Sequence, residues 1–106
     1  MWYVNGTNLQ MAEGDYGIQL PVTVKGTTFT ASDSLKFTFK RETNGSVLLE
    51  KEYTNIAENT VQLQFSAQES AKFPVGMYVY ALDWYQNGVF MCNIILSAKF
   101  KVVDKA

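Results

Sequence analysis

The chain has 106 residues, of which 47% are hydrophobic, 18% charged and 14% aromatic, and its formal net charge is −1. This is the size and balance of one globular domain, away from the low-hydropathy, high-charge composition that keeps chains disordered. Acidic and basic residues are interspersed with no run of one sign, which argues against a nucleic-acid footprint or an anionic-membrane patch.

The N-terminal MWYVNGTNLQ has neither a basic n-region nor an apolar h-region, so the expectation is cytoplasmic synthesis without a signal peptide. No run approaches the roughly 20 apolar residues of a spanning helix. Cys92 is the only cysteine, which excludes an internal disulfide. Asn5-Gly6-Thr7 and Asn44-Gly45-Ser46 have the form of glycosylation sequons, but without an export signal both read as turns.

From the N-terminus, TNLQM at 7–11 reads as a first strand that stops at the turn cluster Glu13-Gly14-Asp15. IQLPVTV at 18–24 alternates with period two, and its mid-run Pro21 cannot donate a ladder bond, which places the strand at an edge or a bulge. LKFTFKR at 35–41 turns Leu35, Phe37 and Phe39 to one face; Thr43-Asn44-Gly45 then reads as a hairpin turn into VLLEKEY at 47–53. TVQLQF at 60–65 alternates again. Ser66-Ala67-Gln68-Glu69 is a capping box, so about two helical turns are expected before Pro74 and Gly76 stop them.

The longest strand follows at 77–86. Its face with Tyr78, Tyr80, Leu82 and Trp84 carries the bulk and should point inward; Tyr85, beside Asp83 near the hairpin tip, suits either core or surface. Asn87-Gly88 turns the chain into VFMCNIIL, and a bulge between Asn93 and Ser97 would return Phe100 and Val102 to the core. Seven or eight short antiparallel strands with turns between them give an all-β sandwich, with a small closed barrel as the other architecture.

Gly76-Met77-Tyr78-Val79-Tyr80 resembles the run that opens strand F of immunoglobulin-like sandwiches, where a corner tyrosine bonds back to the backbone and a cysteine follows two residues later. Tyr78 would be the corner tyrosine and Tyr80 would stand where the cysteine is, with ring packing in place of the inter-sheet bridge. The strands then take the order B at 17–24, C at 35–42, C′ at 46–54, E at 60–65, F at 77–86 and G from 89, with one short helical turn between E and F.

Over most of its length, through "EGDYGIQLPVTV", "LKFTFKRE", "ESAKFPVGMYVYALDWYQNG" and "AKFKVV", the chain resembles the immunoglobulin-like modules of phage and prophage tail-gene clusters, including the N-terminal domain of phage upper baseplate proteins. The resemblance implies a structural protein that packs against copies of itself or other tail components, possessing no catalytic residues and assembled into a phage particle.

The residues themselves are poor in chemistry. The chain has no histidine, which removes the commonest general base and metal ligand and any Ser-His-Asp or Cys-His nucleophile. The seven glycines are scattered singly, so there is no phosphate loop. Glu13 and Asp15 could supply oxygen to calcium, but a polar turn is the simpler reading. Cys92, inside an apolar run, reads as a small buried side chain rather than a reactive thiol. The expectation is therefore no enzyme activity, no metal and no cofactor.

Two surface readings remain beside the structural one. Trp2, Tyr3, Tyr16 and Tyr85 lie near termini, turns or strand ends, where exposed rings could stack on a carbohydrate. An uncovered strand edge or apolar patch, with the terminal Met-Trp-Tyr-Val as a suitable seam, would instead favour self-association.

Overall fold

The computed structural model describes residues 3–5, 7–17, 19–42 and 45–104, the first three as backbone. They form an all-β fold of eight strands in two sheets. β1 (Tyr3–Asn5), β2 (Asn8–Ala12), β4 (Asp33–Lys40), β5 (Val47–Thr54), β7 (Gly76–Gln86) and β8 (Val89–Val103) make a curled six-stranded sheet in the order β1-β2-β8-β7-β4-β5, while β3 (Leu20–Thr23) and β6 (Thr60–Leu63) make a two-stranded ribbon.

The pairing corrects the expectation in two respects. Most neighbours are antiparallel, but β2 runs parallel to β8 from Leu9↔Phe100 to Ala12↔Val103. About 90 residues and five strands separate β2 from the end of β8 that it pairs with, so no hairpin geometry is imposed on the two. The N-terminal run also makes two strands instead of one, because β1 folds back on β2 with Asn5 opposite Asn8. The proposed Asn44 turn falls outside the described residues, although β4 and β5, which flank it, pair antiparallel.

Alternation decides which side chains meet. Leu35, Phe37 and Phe39 from β4, Tyr78, Tyr80 and Leu82 from β7, Ala98, Phe100 and Val102 from β8, and Val61 and Leu63 from β6 are all buried in one cluster. β8 reaches this cluster only through three register shifts against β7, at Tyr80/Leu82, Leu82/Asp83 and Trp84/Tyr85. Each gives β8 an extra residue, and together they bring Phe100 and Val102 back inward. The turn joining the two strands has Asn87 at φ 51° and Gly88 at φ 78°, the paired positive φ values of a twist-matched two-residue hairpin.

The helical segment α1 (Ala67–Ser70) is a single capped turn, shorter than expected. Glu69 N donates to Ser66 Oγ at 3.1 Å, and Ser66 N donates to Glu69 Oε1 at 2.8 Å. The turn delivers Phe73 to full burial. There it stacks on Phe65 with ring centres 5.3 Å apart and meets Phe39, Phe100 and Tyr78 edge-on.

Asn59 fastens the loops at the other end of the ribbon. It holds φ 55°, which asparagine tolerates better than most residues. Its Oδ1 accepts from Phe29 N at 3.1 Å, while Nδ2 donates to the carbonyls of Val24 and Thr27.

Phe39 is fully buried against Phe37, Phe65, Phe73, Tyr80 and Phe100. Phe39→Ala is therefore expected to cost about 3–5 kcal/mol, a large share of the roughly 5–15 kcal/mol by which domains are stable. Urea denaturation of the two proteins checks this; a loss below about 1 kcal/mol would mean that the rings do not form one interior.

Candidate interaction surface

The expected corner residues lie at three levels along β7. At its start the Tyr78 hydroxyl donates to Pro74 O, four residues upstream, at 2.6 Å and accepts from Arg41 Nη1 at 3.1 Å. Gly76 leaves room for this guanidinium, since a Cβ there would stand 3.3 Å from Nη1.

Two residues on, the Tyr80 hydroxyl donates to the carbonyl of Thr7, tying β7 to the loop before β2. Burial pushes the Tyr80 phenol up to about 12. Near the far end, the half-buried Trp84 donates from Nε1 to Asp33 Oδ1 at 2.9 Å and meets Phe29 edge-on. Asp33 is almost wholly covered, and its Oδ2 accepts from Thr30 N at 2.7 Å. The Thr30 amide foremost, then the Trp84 indole, hold the carboxyl below its ordinary value against the opposing pull of burial.

Of the proposed surface rings, the two with described side chains, Tyr16 and Tyr85, do not come together. Trp2 lies outside the described residues, and Tyr3 contributes its backbone to β1. Tyr16 is exposed near the end where Gly17 N bonds Phe65 O. Tyr85 is at the opposite end of β7, half-buried, edge-on to Phe90 with ring centres 5.7 Å apart and an interplanar angle of 75°, under the Lys36 ammonium at 5.1 Å.

The expectation for Cys92 is overturned, because its side chain is exposed. Continuous apolar runs such as VFMCNIIL usually pack as strands covered on both faces, and the reading of Cys92 as buried follows that rule. Here β2 covers β8 only from Phe100 onward, and among the described residues no strand pairs with the remaining edge. Val89, Phe90, Met91 and Leu96 are consequently 63, 50, 44 and 75% exposed. Leu96 also walls a depression of about 270 Å³ on the outer sheet face, beside Val79, Ala81 and Val47.

Two other edges, those of β3 and β5, are protected. In β3 the bond from Val24 N to Asn59 O and the register with β6 make Val22↔Val61 and Leu20↔Leu63 the hydrogen-bonded pairs. Pro21 therefore turns its donor-free nitrogen to the open edge, a standard block to further pairing. Just past the end of β6, Lys51 Nζ donates to the Gln64 carbonyl and to Glu69 Oε1, the latter at 2.9 Å. That lysine is an inward-pointing charge on β5, whose edge also carries Glu50 and Glu52. Residues 89–98 of β8 carry no charge and no proline.

Among the described residues no cluster of three or more His, Cys, Asp or Glu is placed to hold a metal ion, and no helix is long and apolar enough to cross a membrane. Glu13 instead accepts a hydrogen bond from Val75 N at 3.4 Å. No protein-family model matches the chain, and no curated protein is significantly similar to it.

Two pH experiments test these contacts. In an ultraviolet phenol titration, one tyrosine should ionise only near pH 12, and the Tyr80→Phe variant should lose that step and about 1 kcal/mol of stability. Loss of all tyrosine protons by about pH 10.5 would exclude a buried Tyr80.

For Asp33, the lowered folded-state value means that its stabilisation is complete above the unfolded carboxyl's value of 3.8 and disappears as pH falls through the lower folded value. The stability gap between the native protein and Asp33→Asn should thus be widest near neutrality and narrow below about pH 4. A gap that does not change with pH would rule out a carboxylate role.

Proposed function

We propose that the protein is an immunoglobulin-like structural module, without catalytic activity, that works through protein–protein contacts in an assembly of the phage or prophage tail kind. The observation that carries the reading is the uncharged, exposed apolar edge of β8, in a molecule where Pro21 and the charges of β5 guard two of the other edges. Unguarded edges and large exposed apolar patches are the usual marks of an interaction site.

The immunoglobulin-like assignment draws support from the strand pairing. β3 and β6 pair apart from the β5-β4-β7-β8 series, as strands B and E do from C′, C, F and G. The Tyr78 hydroxyl bond to Pro74 O has the form of a tyrosine corner. The tail context rests on the resemblance of the quoted segments. The ring arrangement favours no carbohydrate platform, since Tyr85 packs edge-on against Phe90 and Tyr16 belongs to the other end of the molecule.

The test is co-expression with the proteins encoded beside this one. A complex should co-purify with the native chain and be lost from Phe90→Lys/Leu96→Lys, while the thermal melt of that variant is unchanged. A chain that purifies alone at every ratio, or glycan binding that disappears on Tyr85→Ala, would overturn the reading.

A further inference from the structure

The open part of β8 runs from Val89 to Ser97, nine residues whose sequence is VFMCNIILS. We propose that its occupant is a second copy of this chain, paired antiparallel about a two-fold axis at Asn93; the inference rests on the reading of the molecule as a protein-contact module.

The segment suits itself as a partner. Asn93 is its midpoint, so a two-fold axis there aligns all nine residues of both copies. Phe90 of each copy then faces Leu96 of the other, which brings a half-exposed ring against the most exposed of the large apolar side chains. Met91 faces Ile95, Cys92 faces Ile94 and Val89 faces Ser97.

An isologous contact puts every residue near its own copy, and it fails wherever like charges meet. Between residues 89 and 98 there are none, and the net charge of −1 gives two whole molecules little mutual repulsion. The β5 edge could not do the same: Glu50, Lys51 and Glu52 lie consecutively there, and Lys51 is committed to Gln64 and Glu69. The three register shifts put their extra residues in β8 itself, between Phe90 and Ala98, so the open stretch is bent and more strongly twisted, and a partner strand has to follow that twist; the shifts add no charge to it.

The size of the contact sets its strength. Nine strand residues extend about 30 Å. A ribbon of that length covers roughly 300–450 Å² per copy, about half of a standard interface, so the dimer should be reversible with a dissociation constant in the micromolar range.

The register makes the test specific. Sedimentation equilibrium of the full chain should show the mass rising from 12.0 kDa toward twice that value with concentration. In Phe90→Lys/Leu96→Lys each new lysine faces a lysine of the other copy, and the dissociation constant should rise at least about 30-fold. In Phe90→Lys/Leu96→Glu the same two positions face opposite charges across the axis, and association should recover by at least about tenfold relative to the double-lysine chain.

Cys92 supplies a second readout. The two thiols lie on one face as diagonal neighbours, about 7–8 Å apart at their backbones. A short bifunctional maleimide should thus link native chains into a covalent dimer, fail with Cys92→Ser, and fail with the double-lysine variant although that keeps its thiol. Circular dichroism confirms that each variant remains folded.

A chain that stays monomeric up to about 500 µM, well above micromolar affinity, would overturn self-pairing. The co-purification experiment above then decides separately whether the edge receives a different protein. A dimer equally strong in the lysine–lysine and lysine–glutamate variants would overturn the edge and its register.

Discussion

The contact on which the rest of the structure depends is the packing of Phe39 among five other rings. With Phe37, Phe65, Phe73, Tyr80 and Phe100 around it, Phe39 joins β4 to β7 and β8 in its own sheet and to the segments that follow β6. An all-β domain of this kind, without a disulfide, relies mainly on burial to hold its two sheets together. Aromatic rings suit that need, since each removes roughly 150–250 Å² from water and edge-to-face pairs add to the gain. Most of the pairs here are edge-to-face, with interplanar angles between 65 and 90°. The interior is thus directional as well as apolar, and it fixes how the ribbon lies on the larger sheet.

Polar fastenings then act at the borders of this interior, where backbone groups would otherwise be covered without partners. Tyr78 satisfies the Pro74 carbonyl, Tyr80 the Thr7 carbonyl, Asn59 those of Val24 and Thr27, and Lys51 that of Gln64. In each case a side chain from one segment meets the backbone of another far away or across a turn. Glu69 has two such tasks. Burial pushes its carboxyl up, but the Ser66 amide and the Lys51 ammonium together outweigh that and hold it below its ordinary value, so one charge caps the helix turn and anchors the β5 lysine.

The parts of this arrangement that sequence discloses are those set by local rules. Period-two alternation marks β4 and β7, the Ser66–Glu69 spacing marks the capped turn, and Asn87-Gly88 marks the hairpin. Pro21 points to an edge because it lacks a donor. What alternation cannot convey is how far a neighbouring element reaches. VFMCNIIL has the composition of a doubly covered strand, and its exposure follows from β2 beginning its pairing only at Phe100, a fact written elsewhere in the chain. The parallel β2–β8 pair and the Asn59 and Asp33 contacts are equally remote, joining residues 30 to more than 90 positions apart. Tyr16 and Tyr85 both sit near turns yet lie at different ends of the fold, since closeness to a turn says nothing about which end of the molecule the turn occupies.

The blocks on the outer strands have a consequence for stoichiometry. A sheet that is receptive along two sides adds neighbours without limit and tends toward fibres; one receptive along a single stretch is used up by its first partner. Pro21 and the acidic and basic side chains of β5 take two margins out of use, which narrows the routes by which copies could be strung into a filament through their main chains.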